Sequence, residues 1–303
     1  MKLPSGWLLE MRGIAGNRGS MLKLDPVRIR ELVGAALRED VGTGDVTTLA
    51  CIPPDAEATA HMNCREPLVL AGIEVAAEAF RLLSPNVQIE FKTQDGIRMV
   101  PGQTAMTVKG PARAILSAER VALNLVQRMS GVATLTRQYV DRVEGTKTRI
   151  LDTRKTTPLL RDLEKYAVAC GGGTNHRHGL WDQVLIKDNH LAALAGASPN
   201  PIAAAVERAR ALYPNLKIEV EADTLEQVGW GAESGADVVL LDNMSLAELR
   251  QAVALVAGRC QTEASGGVRL DTVRAIADTG VDFISVGALT HSARAVDLGL
   301  DFA

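Results

Sequence analysis

Val238-Val239-Leu240-Leu241-Asp242, Gln261-Thr262-Glu263-Ala264-Ser265 and Phe283-Ile284-Ser285-Val286-Gly287 follow one another, separated by amphipathic stretches at 245–257 and 269–279. Short apolar strands alternating with helices argue for a parallel sheet, open or closed as a barrel. Outward from here the same rhythm reaches back to about residue 148. Strands are expected over 149–153, 183–187 and 217–222, and a helix over 201–212. Six strands are fewer than the eight of a full barrel. Polar residues fall at or just past the strand ends: Arg154, Lys187, Glu221, Asp242, Ser265 and Gly287. Active sites of α/β barrels gather at that end, which favours an incomplete barrel over an open sheet.

The first half reads differently. Asp25 is a good N-cap and Pro26 fits the first helical position. Val27, Ile29, Leu32, Val33, Ala36 and Leu37 supply an apolar face, for a helix ending near Glu39. The stretch Glu39 to Thr48 reads as a loop. Strands are expected over 56–70 and 87–110, with a helix at 73–83 between them and a turn at Pro101-Gly102. A long helix over 114–143 ties this α+β unit to the barrel. Val296, Leu298, Leu300 and Phe302 alternate with polar residues or glycine, a half-buried strand that packs back on the first unit. The layout is then a poorly ordered extension at 1–20, with Met21 an alternative start. An N-terminal domain at 21–130, a barrel at 131–293 and a returning strand within 294–303 follow.

Composition excludes several classes. The 303 residues carry a net charge of −3, so no global field draws DNA or anionic lipid. Aromatics are only 3%, too few for base-stacking modules. Cys51, Cys64, Cys170 and Cys260 form no CxxC pair, which suits a reducing cytoplasm and gives no zinc signal. No apolar run approaches the ~20 residues of a membrane span, and the patch Trp7-Leu8-Leu9 is no signal peptide.

The chemistry concentrates between 152 and 190. Asp152-Thr153-Arg154-Lys155, Gly171-Gly172-Gly173 with His176-Arg177, and Ile186-Lys187-Asp188-Asn189-His190 place cations at strand ends and in a glycine-rich loop. Cations aimed from several loops at one place imply a small ligand with several negative charges. Lys187 follows an apolar strand. A buried lysine there needs an anionic ligand or a structural acid, and Asp188 and His190 are near in sequence. Glu221 and Asp242 end successive strands. They either pair with Lys187, hold sugar hydroxyls, or hold a Mg²⁺ that also binds phosphates. Glu219 shares a face with Glu221, and Glu263 with Ser265; carboxylates inside a barrel need partners. Ser265-Gly266-Gly267 and Ser285-Val286-Gly287 end the last two strands, where small residues let backbone N–H groups approach a phosphate. Arg120, on a helix outside the barrel, reads as surface charge.

Taken in order, these elements resemble the quinolinate phosphoribosyltransferases. The likeness runs from about residue 25 to the C-terminus. It includes Gly44-Asp45-Val46-Thr47, Glu119-Arg120, Leu241-Asp242-Asn243 and the motifs above. The resemblance implies an open α/β sandwich domain followed by the incomplete barrel. It implies a homodimer whose N-terminal domain covers the partner's barrel mouth, with dimer against hexamer left open. The implied reaction joins quinolinate to phosphoribosyl pyrophosphate with Mg²⁺, giving nicotinate mononucleotide, pyrophosphate and CO₂. By resemblance Arg120, Thr153, Arg154, His176 and Arg177 bind quinolinate, while Lys155 and Lys187 face the pyrophosphoryl donor. Glu221 and Asp242 hold ribose and metal, and Ser265, Gly266, Gly267, Ser285, Val286 and Gly287 take the 5′-phosphate. Other acceptors on the same scaffold, a sugar-phosphate isomerase barrel and a non-catalytic binding protein are the competing readings. The three arginines Arg120, Arg154 and Arg177 speak for the dicarboxylate.

Overall fold

In the computed structural model, which describes residues 24–303, the N-terminal helix α1 spans Pro26–Val41. The Asp25 carboxylate accepts the Val27 N–H at 2.9 Å, and Gly42, at φ 54°, ends the helix. The expectations for residues 1–20 and Met21 lie outside the described residues. The loop expected over 39–48 is shorter than read. Helix α1 runs two residues beyond Glu39, and a second helix, α2 (Val46–Cys51), starts inside the stretch. Its β-branched Val46-Thr47-Thr48 disguised it. The Asp45 carboxylate, accepting the Thr48 N–H at 3.0 Å, offsets their poor propensity.

The next elements are β1 (Glu57–Cys64), β2 (Leu68–Val69), α3 (Ile73–Leu83), β3 (Gln88–Phe91), β4 (Arg98–Met99), β5 (Thr104–Pro111) and α4 (Ala112–Arg142). Strands β1, β5 and β3 form an antiparallel sheet, joined at its edge by the last strand of the chain, β12 (Leu298–Phe302). The register sets Ala60 opposite Phe302 and Cys64 opposite Leu298. Val296 and Leu298 are buried as the alternation requires, but Phe302 is exposed where the strand leaves the core. Helix α3 packs between α1 and α4, burying Ile73, Val75, Ala76 and Phe80. Gly131 lets the C-terminal segment cross α4 closely, because a Cβ there would overlap the Arg294 carbonyl oxygen. Val296 N–H then donates to the Gln127 carbonyl at 3.2 Å.

From Arg149 onward strands and helices alternate. They are β6 (Arg149–Leu151), α5 (Arg161–Cys170), β7 (Val184–Ile186), α6 (Asp188–Ala192), α7 (Pro201–Leu212) and β8 (Ile218–Ala222), followed by α8 (Leu225–Glu233), β9 (Val238–Asp242), α9 (Leu246–Val256), β10 (Gln261–Ser265), α10 (Val273–Ala277), β11 (Phe283–Ser285) and α11 (Ala288–His291). The six strands form one parallel sheet in the order β6-β11-β10-β9-β8-β7. Strands β6 and β7 are therefore the two edges of an incomplete barrel. Part of the gap is filled by Thr174, whose N–H donates to Ile150 and whose carbonyl accepts from Asp152 N–H. Among the described residues no helix is long and apolar enough to cross a membrane.

Candidate active site

A cavity of about 910 Å³ opens at the C-terminal ends of the parallel strands. Thr153, Arg154, Lys155, His176, Arg177, Lys187, Glu221 and Asp242 line it, as do the turns Ser265–Gly267 and Ser285–Gly287. Of the residues expected at the site only Arg120 is absent from this lining. It sits on α4 with an exposed side chain.

Each cationic loop is tied down from behind. Beyond β6, Lys155 N–H donates to the Thr153 hydroxyl at 3.1 Å. Glu164, on α5 and only 1% exposed, accepts the Thr157 N–H at 3.0 Å and pairs with Arg128 of α4 at 2.9 Å. Arg161 bridges the loops, donating to the Thr156 hydroxyl and to the His178 carbonyl, each at 3.0 Å. These anchors carried no motif signal. A glutamate and an arginine on an amphipathic helix ordinarily read as a solvated face.

The cations at the wall lack matching acids. Among the described residues no carboxylate lies within ion-pair distance of Arg154, Lys155 or Arg177. The Arg154 Nε is buried without a hydrogen-bond partner. Burial, followed by the positive charge of Arg154, holds the Arg177 guanidinium below its ordinary pKa. Two like charges kept together at a cavity wall, with donors unspent, make an anion site. Lys187 differs. Burial was expected, with an anionic ligand, Asp188 or His190, or Glu221 or Asp242 as the partner. Its side chain is 44% exposed and its ammonium pairs with Glu221. The His190 ring instead accepts the Lys187 backbone N–H at 2.9 Å. The strand ends at Ile186, so Lys187 already projects beyond the buried layer.

Beneath the wall lies a second polar layer. Asp152 and Lys165, 0% and 1% exposed, meet at 2.6 Å. Asp152 also accepts from Asn175 Nδ2 at 2.6 Å and from His176 N–H at 2.8 Å. Burial pushes the Asp152 carboxyl up and the Lys165 ammonium down in pKa, and each partner pulls the other back. The His176 side chain, expected in the ligand clamp, has both ring nitrogens engaged by the protein. Its Nδ1 accepts the Arg177 N–H at 2.7 Å. Its Nε2 lies 3.0 Å from Glu219 and 3.5 Å from Glu263. Burial works against protonation of this ring, but the Glu219 bond and the charges of Glu263 and Glu219 outweigh it and raise the pKa. Burial, then the neighbouring Glu219 charge, pushes Glu263 up to about 8.

The far side of the cavity is built from small residues. Gly266, at φ +97°, lies against Asn243, whose side chain a Cβ would strike. Helix α10 begins only at Val273 rather than 269, so the turn itself lines the cavity rather than a helix start. Arg269 and His291 also line this side and were not anticipated. A lone arginine and histidine in loops give no spacing signal.

The donor set for a metal is mixed. Glu221 is already paired with Lys187, and Asp242 Oδ2 accepts from Asn243 Nδ2 at 2.7 Å. Both line the cavity, and their oxygens suit a Mg²⁺ that keeps waters and takes its other ligands from substrate phosphates. The closest grouping of ligand-type side chains among the described residues is instead His176, Glu219 and Glu263, within 4.8 Å of one another.

Comparison with known proteins agrees with this architecture. Residues 45–130 match the model of the quinolinate phosphoribosyl transferase N-terminal domain, and residues 132–301 that of the C-terminal domain. The chain is 45% identical to a nicotinate-nucleotide pyrophosphorylase [carboxylating] of Mycobacterium leprae over 90% of its length and 96% of the relative's. It is 41% identical to a probable nicotinate-nucleotide pyrophosphorylase [carboxylating] of Bacillus subtilis, over 92% and 94%. The solved nicotinate-nucleotide pyrophosphorylase of Francisella tularensis superposes with a TM-score of 0.88 at 39% identity, covering 95% of this chain and 100% of that one. With both domain models matched across nearly the whole chain, it belongs to the quinolinate phosphoribosyltransferase family.

Proposed function

We propose that Arg154 and Arg177, with Arg120 from a partner subunit, clamp the two carboxylates of quinolinate while the opposite side of the cavity holds phosphoribosyl pyrophosphate. The reaction of this chain is transfer of the phosphoribosyl group to quinolinate with loss of CO₂. It yields nicotinate mononucleotide and pyrophosphate in NAD biosynthesis. The observation that carries the assignment of residues is the set of unmatched cations at the cavity wall. Quinolinate is a dianion, and phosphoribosyl pyrophosphate carries about five negative charges near neutral pH. Arg154, Lys155, Arg177 and Lys187 meet that charge.

The clamp fixes the pyridine nitrogen opposite the anomeric carbon, turning a bimolecular encounter into an oriented one. Lys155 and Lys187 stabilise the pyrophosphate as its bond to the sugar breaks. Glu221 and Asp242 would hold a Mg²⁺, which would supply further charge stabilisation there. Glu221 and Asp242 also orient the ribose hydroxyls, and the turns Ser265–Gly267 and Ser285–Gly287 receive the 5′-phosphate. The ring nitrogen bonds to the cationic anomeric carbon and becomes positive. It then accepts the electron pair left when the 2-carboxylate departs as CO₂, and a proton takes that place.

The reading includes a homodimer in the cytoplasm. The shared dimer site is supported by Arg120, which is exposed on α4 and lies outside its own chain's cavity. Incubation with quinolinate, phosphoribosyl pyrophosphate and Mg²⁺ should release CO₂ and pyrophosphate in equal amounts. Pyrophosphate release without CO₂ would refute the assignment. Arg120→Ala and Lys187→Ala homodimers should each be nearly inactive, and co-expression should restore activity. Mixed dimers that form yet stay inactive would refute the shared site.

A further inference from the structure

Glu219 and Glu263 belong to no substrate contact proposed above, yet they are among the most expensive residues in the barrel. Both are carboxylates on central strands, 0% and 2% exposed. Each leaves one buried oxygen, Oε1, without a partner. Carboxylates in a barrel interior cost stability unless they are paired. Their other oxygens converge on His176 Nε2, at 3.0 and 3.5 Å.

The direction of the His176 bonds decides what the cluster is. The Arg177 backbone N–H can only donate, so Nδ1 accepts and the ring proton sits on Nε2, facing the two carboxylates. A metal ion on Nε2 would force the ring proton onto Nδ1, against the Arg177 N–H. The cluster is therefore arranged around a proton. A second route reaches the same arginine. Gln183 Nε2 donates to Glu219 at 2.6 Å, and the Gln183 carbonyl accepts from Arg177 Nη1 at 3.4 Å. Burial and the Glu219 charge favour a protonated Glu263, which spares the barrel two adjacent charges.

We propose that Glu219 and Glu263 are positioning residues: through the His176 ring and Gln183 they fix Arg177 at the cavity wall beside Arg154, so that the pair meets a vicinal dicarboxylate. His176 thereby serves the clamp through its Nδ1, which accepts the Arg177 N–H. The inference rests on the dicarboxylate reading of the site and adds two residues to its support.

The test uses the full-length enzyme and phthalate, which has both carboxylates and no ring nitrogen. Phthalate affinity, KM for each substrate and the melting temperature are measured for Glu219→Ala, Glu219→Gln, His176→Asn and His176→Gln. Outer-layer supports of this kind typically matter by about 10–100-fold. Glu219→Ala should weaken phthalate binding and raise the quinolinate KM by about that factor, with the phosphoribosyl pyrophosphate KM within about threefold of wild type. Glu219→Gln, which keeps an acceptor for Nε2–H and Gln183, should restore most of the loss. His176→Asn keeps a polar atom at the Nδ1 position and should bind phthalate better than His176→Gln, which keeps one only at Nε2. That pair decides the matter should Glu219→Ala fail to fold. Three results would each overturn the inference. They are an unchanged phthalate affinity in Glu219→Ala, equal losses in the two His176 variants, and a stoichiometric metal retained by wild type but not by Glu219→Ala. Wild-type enzyme that neither binds phthalate nor turns over quinolinate would instead refute the dicarboxylate reading itself.

Discussion

Asp152 and Lys165 face each other at 2.6 Å beneath the barrel mouth, almost fully buried, whereas Arg154, Lys155 and Arg177 just above them have no acid partner among the described residues. The two layers come from the same stretches of sequence, and Asp152 and Arg154 are two residues apart. One layer is matched and dry, and the other is unmatched and open to a cavity. A buried pair holds the fold because losing either partner strands a charge. An unmatched cation at a cavity wall adds nothing to the fold and waits for an anion. Charge alone does not separate structure from function here; matching does.

The comparison breaks first if the lower layer proves dispensable. Lys165→Met leaves Asp152 buried and unpaired, and removing one partner of such a pair costs about 3–5 kcal/mol. Chemical denaturation should show that loss, and adding Asp152→Asn should recover part of it. A stable Lys165→Met single variant would dissolve the distinction. Next in size is Asp242→Asn. Asp242 belongs to the upper layer, so its melting temperature should hold while turnover falls by about 10²–10³, as for one preorganised electrostatic contact. Equal losses of stability and activity would move Asp242 into the structural layer.

Arg177→Ala should act on one substrate only. A charge-assisted bond contributes about 1.5–3 kcal/mol, so phthalate affinity should fall by about 10–100-fold with phosphoribosyl pyrophosphate binding intact. Stability should not fall by a like amount, since the neighbouring Arg154 charge opposes Arg177 in the free enzyme. A pH dependence concerns Glu263. Its folded pKa is raised from 4.5 to about 8, so the folded state holds a proton that the unfolded chain gives up. That contribution is fully present below 4.5 and is lost as pH rises through about 8. Glu263→Gln removes the titration. Thermal melts of the two proteins should diverge with rising pH, wild type falling faster. Parallel curves would show Glu263 ionised throughout.

Much of this was legible from residues alone. Strands 238–242 and 261–265 and helix 201–212 stand where the pattern of apolar runs and turn residues set them. Polar groups at strand ends located the cavity, because a barrel places its loops together whatever their contents. What was not legible depends on partners distant in sequence. Helix α5 was missed because Glu164 and Lys165 look like surface charges until α4 and Asp152 enclose them. His176 sits in a cationic motif, and only the arrangement of β8 and β10 turns it toward Glu219 and Glu263. The pairing of Lys187 with Glu221 of β8 was among the readings the residues left open, and only the structure chooses it over Asp188 and His190.

The most direct measurement is the ratio of kcat/KM for quinolinate to that for nicotinate, which lacks only the 2-carboxylate. A site built to bond a polar group can reject an analogue without it by about 10⁴ or more. With Arg154 and Arg177 left under-paired by nicotinate, a preference for quinolinate of about that size is expected. Comparable turnover of the two acids would contradict the dicarboxylate clamp.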